Sequence, residues 1–521
     1  QLGRSLWLDE AYSIVVRGSE PLYGVIAMVE PHPPLYYMLL HGWMKLFGQS
    51  ELMTRSLSVL IGLCSIAAMY ALSSYVYDRR AGLIAALVMA TSTLHIQYSQ
   101  TVRMYILIVL LTALSCYLYL RLLDSKSLEN QFGYGIVTLA LLYTHIYGSF
   151  ILLAQCLHLG IFFVQYRQRA IGPVSRVFKT AVAVGLLFLP WVLIMLVPNF
   201  ILTESGGPTA WVTLPDFLTV RDISYAYANV PVNYPVIDYA GRQLLAVRVL
   251  LGGFALGLAY LIAQAIRERV STWRDTDEDG LLVADGTGVQ SARGDPAGLK
   301  PPGGVSLGIC VIISTTLVPY LLSYLLFPLL VVRYAIAGFV GFVLILSRIV
   351  SALPSRKVQI GVAVVLVLLA APGVTTYYES DTAEDWQTVG DQLSDANLTE
   401  EDLIVYSPNA KLPLSYYQPA SERSQAQSIT YENKSKIRQV LSEGNVSTVW
   451  VVSYDNNPTE EQLISHSKYT FHSSTRAGEN LALIRYNRMD TPTNETSKPH
   501  EHGTRSSIDQ ARARSRPVAG Q

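Results

Sequence analysis

The chain is 521 residues long, 50% hydrophobic and only 15% charged, with a mean hydropathy of +0.30. A chain this apolar at this length is not that of a soluble protein and reads as a polytopic membrane protein. Lys+Arg and Asp+Glu balance at 39 each, which argues against a nucleic-acid or acidic partner and leaves only the local distribution of charge informative.

In chain order, the first feature is an acidic pair, Asp9-Glu10, in the run Leu6-Trp7-Leu8-Asp9-Glu10-Ala11-Tyr12. The chain opens at Gln1 with no Met and no signal peptide ahead of this pair, so a fragment or processed N-terminus is expected. Pro33 to Phe47 is apolar on one face but short and interrupted by His41 and Lys45, which predicts a helix lying in the interface. A span needs about 20 apolar residues, and about ten windows qualify: 56–77, 82–98, 104–123, 132–146, 147–166, 178–198, 243–266, 305–328, 331–353 and 357–377. Pro190 and Pro319 fall inside spans, where neighbouring helices tolerate a kink. Cys64, Cys116, Cys156 and Cys310 all sit in apolar segments and read as small hydrophobes, with no disulfide and no metal cluster.

Basic residues cluster at Arg79-Arg80, Arg121 with Lys126, Arg167 to Lys179, Arg267 to Arg274, and Arg348 to Lys357. These are alternate loops, which the positive-inside rule makes cytoplasmic. The external side then holds residues 1–55, the turn at 99–103, the turn around His145, the segment 199–242, the turn at 328–333 and everything after 378. Asp9, Glu10, His32, Arg103, His145 and Arg333 share that side.

The cytoplasmic stretch 275–304 is rich in Asp, Gly and Pro and is expected to be disordered. After Tyr378 the pattern becomes α/β. A helix is predicted at Asp385–Leu393, a strand at Leu403–Tyr406, a helix near Lys434–Leu441, and strands at Thr448–Ser453 and Leu481–Tyr486. Sequons at Asn397, Asn433, Asn445 and Asn494 all fall on the predicted outer side. The expected division is an external loop with interfacial helices (1–55), a helical membrane domain (56–377), an extracytoplasmic α/β domain (378–488) and a disordered tail (489–521).

By itself, Asp9-Glu10 reads as a general base, as metal ligands, or as an acidic pair favoured at a helix N-terminus. Arg103 and Arg333 each lie at the end of a span, where an arginine either snorkels to headgroups or binds an anion. Two arginines, a carboxylate pair and a histidine on one face suggest a site for a phosphorylated amphiphile. Guanidinium binds phosphate bidentately, and a carboxylate takes the proton of an acceptor hydroxyl. Tyr225, Tyr227, Tyr234 and Tyr239 in the segment 199–242 would suit stacking against sugar faces.

Several motifs in order resemble the membrane glycosyltransferases of GT-C architecture, in the family 39-like group that includes protein O-mannosyltransferases and the aminoarabinose transferases of lipid A. They are the Asp9-Glu10 loop, His32-Pro33-Pro34-Leu35-Tyr36-Tyr37, Arg55-Ser56-Leu57-Ser58, Tyr98-Ser99 followed by Arg103-Met104-Tyr105, Tyr143-Thr144-His145, and Arg333-Tyr334. The resemblance implies a GT-C-like helical domain, with a first span ahead of the acidic loop that this sequence lacks, and a C-terminal extracytoplasmic α/β domain. It implies inverting transfer of a sugar from a polyprenyl (dolichyl-type) phosphate donor to a lipid-linked glycan, lipid or protein acceptor, at a multi-pass plasma-membrane protein. In that scheme Asp9 is the general base, and Glu10 orients the acceptor or holds a divalent cation. Arg103 and Arg333 bind the departing phosphate, and His32, Tyr98, Tyr105, His145 and Tyr334 line the donor or acceptor groove. No other cofactor is implied. One departure stands out: many relatives carry an acid two positions before the second-motif arginine, where this chain has Thr101.

Two other classes compete with this reading. A transporter would place its ionisable residues near mid-span in repeated halves, whereas here they sit at the ends of spans and no repeat is visible. The second is a catalytically idle relative whose outer domain binds a glycan or a partner protein, and Thr101 is the main argument for it.

Overall fold

The computed structural model describes residues 2–18, 24, 32–196, 212–232, 241–279, 303–379, 384–418, 426–443, 445–454, 468–478 and 481–489. The stretch 280–302, the tail from 490, Tyr234, Tyr239 and Asn494 lie outside these residues.

A four-residue turn of helix, α1 (Leu8–Ala11), runs straight into a π-helical segment, Tyr12–Gly18. Helix α2 (Leu35–Phe47) follows the double proline, as expected of the interfacial helix. The membrane helices are α3 (Glu51–Val76), α4 (Arg79–Thr91), α5 (Thr93–Ser99), α6 (Tyr105–Asp124), α7 (Leu128–Leu142), α8 (Gly148–Tyr166) and α9 (Ile171–Leu196). A short α10 (Phe217–Tyr227) precedes α11 (Gly241–Asp279). Next, α12 (Gly304–Ile312) continues through a π turn into α13 (Val318–Leu325). A 3-10 turn, Val332–Ala335, then leads into α14 (Ile336–Ser351), followed by α15 (Arg356–Glu379).

Among the described residues eight helices are long and apolar enough to cross a membrane, and the bent pair α4–α5 makes up to nine. The expected count of about ten is corrected at residues 132–146. Helix α7 has 15 residues, roughly 22 Å at 1.5 Å per residue, against a hydrocarbon core of about 30 Å. The α4–α5 break, 63°, has a local cause: the Ser92 hydroxyl accepts the His95 N–H and starts a new helix. The Asn229 side chain reinforces it by accepting the Thr93 N–H at 3.1 Å. Helices α6 and α14 are the most enclosed, with 72% and 78% of their apolar windows buried, while α11 and α15 reach only 17% and face outward.

The C-terminal domain begins with α16 (Trp386–Asp395) and continues through β1 (Asp402–Tyr406), α17 (Lys411–Tyr417), β2 (Gln427–Thr430), α18 (Lys434–Glu443), β3 (Thr448–Tyr454), β4 (Tyr469–Arg476) and β5 (Leu481–Arg488). The strands form one sheet in the order β2-β1-β3-β5-β4, with β2, β1 and β3 parallel and β5 antiparallel to both β3 and β4. Alternation along the strands divides the core. Ile404, Trp450 and Val452 pack under α16 with Trp386, Val389 and Leu393, while Leu403, Val405, Val449 and Val451 face Ile437 of α18. The predicted helices and strands are all present. The structure adds α17, β2 and β4, and β4 is an exposed edge whose polar run Thr-Phe-His-Ser-Ser-Thr carries no alternating apolar signal.

Candidate active site

Adjacent residues on a helix point about 100° apart, and α1 uses that divergence to separate the acidic pair. Glu10 turns inward and is 2% exposed. Its carboxylate accepts Arg55 Nε at 3.0 Å and Nη2 at 2.6 Å, the Val102 N–H at 2.9 Å and the Trp7 N–H at 3.4 Å. The same Arg55 donates to the carbonyls of Leu2, Arg4 and Ser5. Glu10 is therefore fully engaged inside the protein, and the geometry departs from the expectation that it faces an acceptor or a cation. Among the described residues no three His, Cys, Asp or Glu side chains converge as a metal site.

Asp9 turns the other way. Its Oδ2 lies 3.6 Å from Arg103 Nη2 and 3.9 Å from Arg333 Nη1, both longer than a hydrogen bond, and this oxygen is buried without a hydrogen-bond partner. Arg103 sits in the tight turn between α5 and α6 and is 5% exposed. Its Nη1 donates to the Tyr37 hydroxyl at 3.2 Å, the Ser13 hydroxyl at 3.3 Å and the Asp9 carbonyl at 3.5 Å. Arg333 is presented by the 3-10 turn that opens α14. Among the described residues, two guanidiniums, Arg103 and Arg333, flank the Asp9 carboxylate here, while Glu10 is engaged by Arg55.

The aromatic wall follows from backbone ties between loops. Pro33 and Pro34 fix the entry to α2, and the Leu35 N–H donates to the Tyr143 carbonyl at 3.0 Å. That bond brings the His32 ring to 5.3 Å from His145. The Tyr147 hydroxyl donates to the Leu329 carbonyl at 2.9 Å and draws in the turn that carries Tyr334. The Tyr334 ring lies 4.8 Å from His145, 6.3 Å from His32, 5.5 Å from Tyr147 and 6.2 Å from Tyr105. Tyr98 packs edge-on to Tyr105 at 5.0 Å.

The state of His145 can be read from its neighbours. The ring is 1% exposed, and burial, with Arg103 and Arg333 nearby, lowers its pKa to about 3, so it is neutral at physiological pH. Nδ1 accepts the Tyr147 N–H at 3.1 Å. A backbone N–H can only donate, so the proton of the neutral ring resides on Nε2, which has no hydrogen-bond partner. His145 therefore offers the site a single N–H donor.

Every residue chosen from sequence for the site lies in this one region except Glu10, which supports it from behind. Sequence reasoning assigned no role to Tyr37, Ser13, Arg55 or Tyr147. Tyr37 stood in the double-proline run and Arg55 in the following motif, but only tertiary contacts reveal what they hold. Thr101 turns its hydroxyl back to the Gln97 carbonyl at 2.8 Å. Tyr227 is corrected as a sugar-stacking candidate: it is buried against Phe339 and Phe342, and its hydroxyl donates to the Ala335 carbonyl at 2.5 Å.

Residues 31–194 match the profile of the family described as dolichyl-phosphate-mannose-protein mannosyltransferase. The matched segment contains His32, Tyr98, Arg103, Tyr105 and His145, and Asp9 and Arg333 lie outside it. No curated protein sequence matches the chain. Among solved structures the chain is similar to ArnT from Cupriavidus metallidurans in the apo state, at 12% identity and a TM-score of 0.42, covering 93% of this chain and 94% of that one. It is similar to the same protein bound to undecaprenyl phosphate, at 12% identity and 0.43, covering 94% and 96%. It also resembles the apo oligosaccharyltransferase of Archaeoglobus fulgidus, at 11% identity and 0.48, covering 94% of this chain and 72% of that one. The family match falls on residues 31–194, within a multi-pass helical domain that is followed by a small C-terminal sheet domain.

Proposed function

We propose that the protein transfers a sugar from a polyprenyl-phosphate donor to the hydroxyl of a lipid-linked glycan, lipid or protein acceptor, with inversion, on the extracytoplasmic face. The observation that carries this reading is the Asp9 carboxylate held just beyond hydrogen-bond distance of both Arg103 and Arg333. A sugar phosphodiester bears a negative charge, which suits a site where two guanidiniums stand side by side. Donor phosphate takes up the two guanidiniums and leaves Asp9 available to the acceptor.

Asp9 then accepts the acceptor's hydroxyl proton as that oxygen bonds to the anomeric carbon. The bond from this carbon to the phosphate oxygen breaks, and the polyprenyl phosphate departs with the electron pair. The charge that grows on the phosphate is stabilised by Arg103 and Arg333 in a largely desolvated setting, where such interactions are strongest. A double displacement would need a carboxylate nucleophile and a separate acid/base. Glu10 is locked on Arg55, which favours single displacement and hence inversion. Glu10 and Arg55 act as positioning residues for the Asp9 loop. The Nε2–H of His145 donates to a sugar or phosphate oxygen, and His32, Tyr98, Tyr105 and Tyr334 shape the pocket. The distribution of basic residues among alternate loops supports the extracytoplasmic placement.

The test supplies the full-length protein in membranes with radiolabelled polyprenyl-phosphate sugars and compares wild type with Asp9→Asn. Label reaching an acceptor in wild type and transfer slowed by about 10²–10⁴-fold in the variant is the expected result. Undiminished transfer by the variant removes Asp9 as base. No transfer from any donor by wild type moves the protein to the binding-only class.

A further inference from the structure

Helix α17 belongs to the C-terminal domain, yet its last two residues reach out of it. The Tyr416 hydroxyl donates to the Gln49 carbonyl at 2.8 Å. The Tyr417 hydroxyl accepts the Leu6 N–H at 2.7 Å, across 411 positions of sequence. Leu6 is wholly buried, and Leu6-Trp7 leads directly into α1, which carries Asp9. Tyr417 is itself held in place. A Cβ on Gly390 of α16 would lie 2.7 Å from the Tyr417 Cβ, so the two helices approach closely only because Gly390 has no side chain.

The approach to α1 is thus gripped from two directions. From the membrane domain, Arg55 takes the carbonyls of Leu2, Arg4 and Ser5 at 3.0, 2.6 and 3.2 Å. From the C-terminal domain, Tyr417 takes the Leu6 amide, and the Gln387 N–H donates to the Ser5 hydroxyl at 3.2 Å. The Ser5 carbonyl and the Leu6 N–H belong to one planar peptide, and the contact from Arg55 at 3.2 Å holds only the carbonyl edge of that peptide. Binding its N–H as well sets the plane of that peptide and with it the direction in which α1 starts. A small rotation there swings Asp9 relative to Arg103 and Arg333, and positioning errors near 1 Å are costly in catalysis.

We propose that Tyr417 is a positioning residue for Asp9, which makes the C-terminal domain a working part of the transfer site as well as a neighbour of it. This rests on the reading of Asp9 as general base. The experiment uses the full-length protein in lipid nanodiscs and compares wild type, Tyr417→Phe, Tyr416→Phe, Asp9→Asn and the Asp9→Asn/Tyr417→Phe double variant. Tyr417→Phe is expected to lower kcat about five- to thirtyfold, the effect of one lost hydrogen bond to an enclosed amide, with donor KM changed less than about twofold. Tyr416→Phe, which removes the inter-domain hydroxyl of the neighbouring tyrosine, stays within about twofold of wild type. In the Asp9→Asn background the Tyr417 change adds less than about twofold, because it acts through the group already removed. Hydrogen exchange over residues 2–10 should quicken in Tyr417→Phe and not in Tyr416→Phe, a readout independent of turnover.

Unchanged kcat or unchanged exchange in Tyr417→Phe overturns the proposal. So do equal losses in both tyrosine variants, which would mean that the hydroxyls merely dock the domain. Wild-type turnover by Asp9→Asn defeats the general-base reading instead, and it is seen without reference to Tyr417.

Discussion

Glu10→Gln separates a structural carboxylate from a catalytic one. Glu10 and Arg55 are both buried, with side chains 2% and 5% exposed, and Gln keeps the shape of the pair while removing its negative charge. Arg55 is then left as a buried cation that has lost its ion-pair partner Glu10, with the Leu2, Arg4 and Ser5 carbonyls still accepting from it. Breaking one half of such a pair costs about 3–5 kcal/mol. On the scale of 2–4 °C per kcal/mol, the unfolding midpoint falls by on the order of 10 °C. Gln keeps one acceptor oxygen and turns the other position into an NH2 donor facing Arg55, so one of the bonds at 2.6 and 3.0 Å is lost, α1 loosens, and turnover falls in parallel with stability. Differential scanning fluorimetry in nanodiscs, alongside the transfer assay, measures both. The Glu10→Gln/Arg55→Met double variant should recover part of the midpoint, because it removes the uncompensated charge. It should not recover all of it, because the Leu2, Arg4 and Ser5 carbonyls lose their donor. A variant that is dead in transfer with an unchanged midpoint refutes the structural assignment and returns Glu10 to the chemistry.

Arg103→Lys keeps the charge but loses the planar fork and its bonds to Tyr37 and Ser13, so donor KM should rise and kcat fall, with a combined loss in kcat/KM of roughly 10–100-fold in steady-state transfer. His145 contributes a pH-dependent stability of definite sign. Its folded pKa of about 3 lies below an unfolded value of about 6.5, so the unfolded chain takes up the proton first. Stability is therefore full above about pH 6.5 and declines as pH falls from there toward 3. In His145→Gln the acid-side decline of the midpoint should be shallower, and wild type should show no limb from this residue in its pH–rate profile between pH 5 and 8. A Cβ on Gly373 would lie within van der Waals overlap of the Asn229 carbonyl and 2.8 Å from Thr93 Oγ1. Gly373→Ala should accordingly cost about 1–3 kcal/mol by overpacking, seen as a lower midpoint, and should disturb the α4–α5 break that carries Tyr98.

Hydropathy was sufficient to read the class and most of the helices, because the bilayer imposes a length and a composition that survive without any tertiary information. It overcounted at 132–146, where the apolar window is itself short of a full span, the helix ends at Leu142 and the chain turns to bring His145 inward. Short apolar runs marked β1, β3 and β5, of which β1 and β3 are buried on both faces. They missed β4, an edge strand that buries almost nothing and so leaves no periodic signature.

The identities of Asp9, Arg103, Arg333, His32 and His145 as residues of interest came from charge placed beside apolar spans, a costly arrangement visible in one dimension. Which way each side chain turns did not, since that depends on contacts hundreds of residues apart. Asp9 and Glu10 are neighbours of the same chemical type, and nothing in their order tells them apart. Arg55 and the Val102 amide claim one, and Arg103 and Arg333 flank the other. The tautomer of His145 likewise rests on a single N–H from Tyr147, and the setting of α1 on a hydroxyl from Tyr417 in a different domain. Sequence by itself determined the kind of protein and the chemical groups available to it. The tertiary structure alone decided which of them meet, because hydrogen bonds and ion pairs act over a few ångströms and only the folded chain brings such distant positions that close.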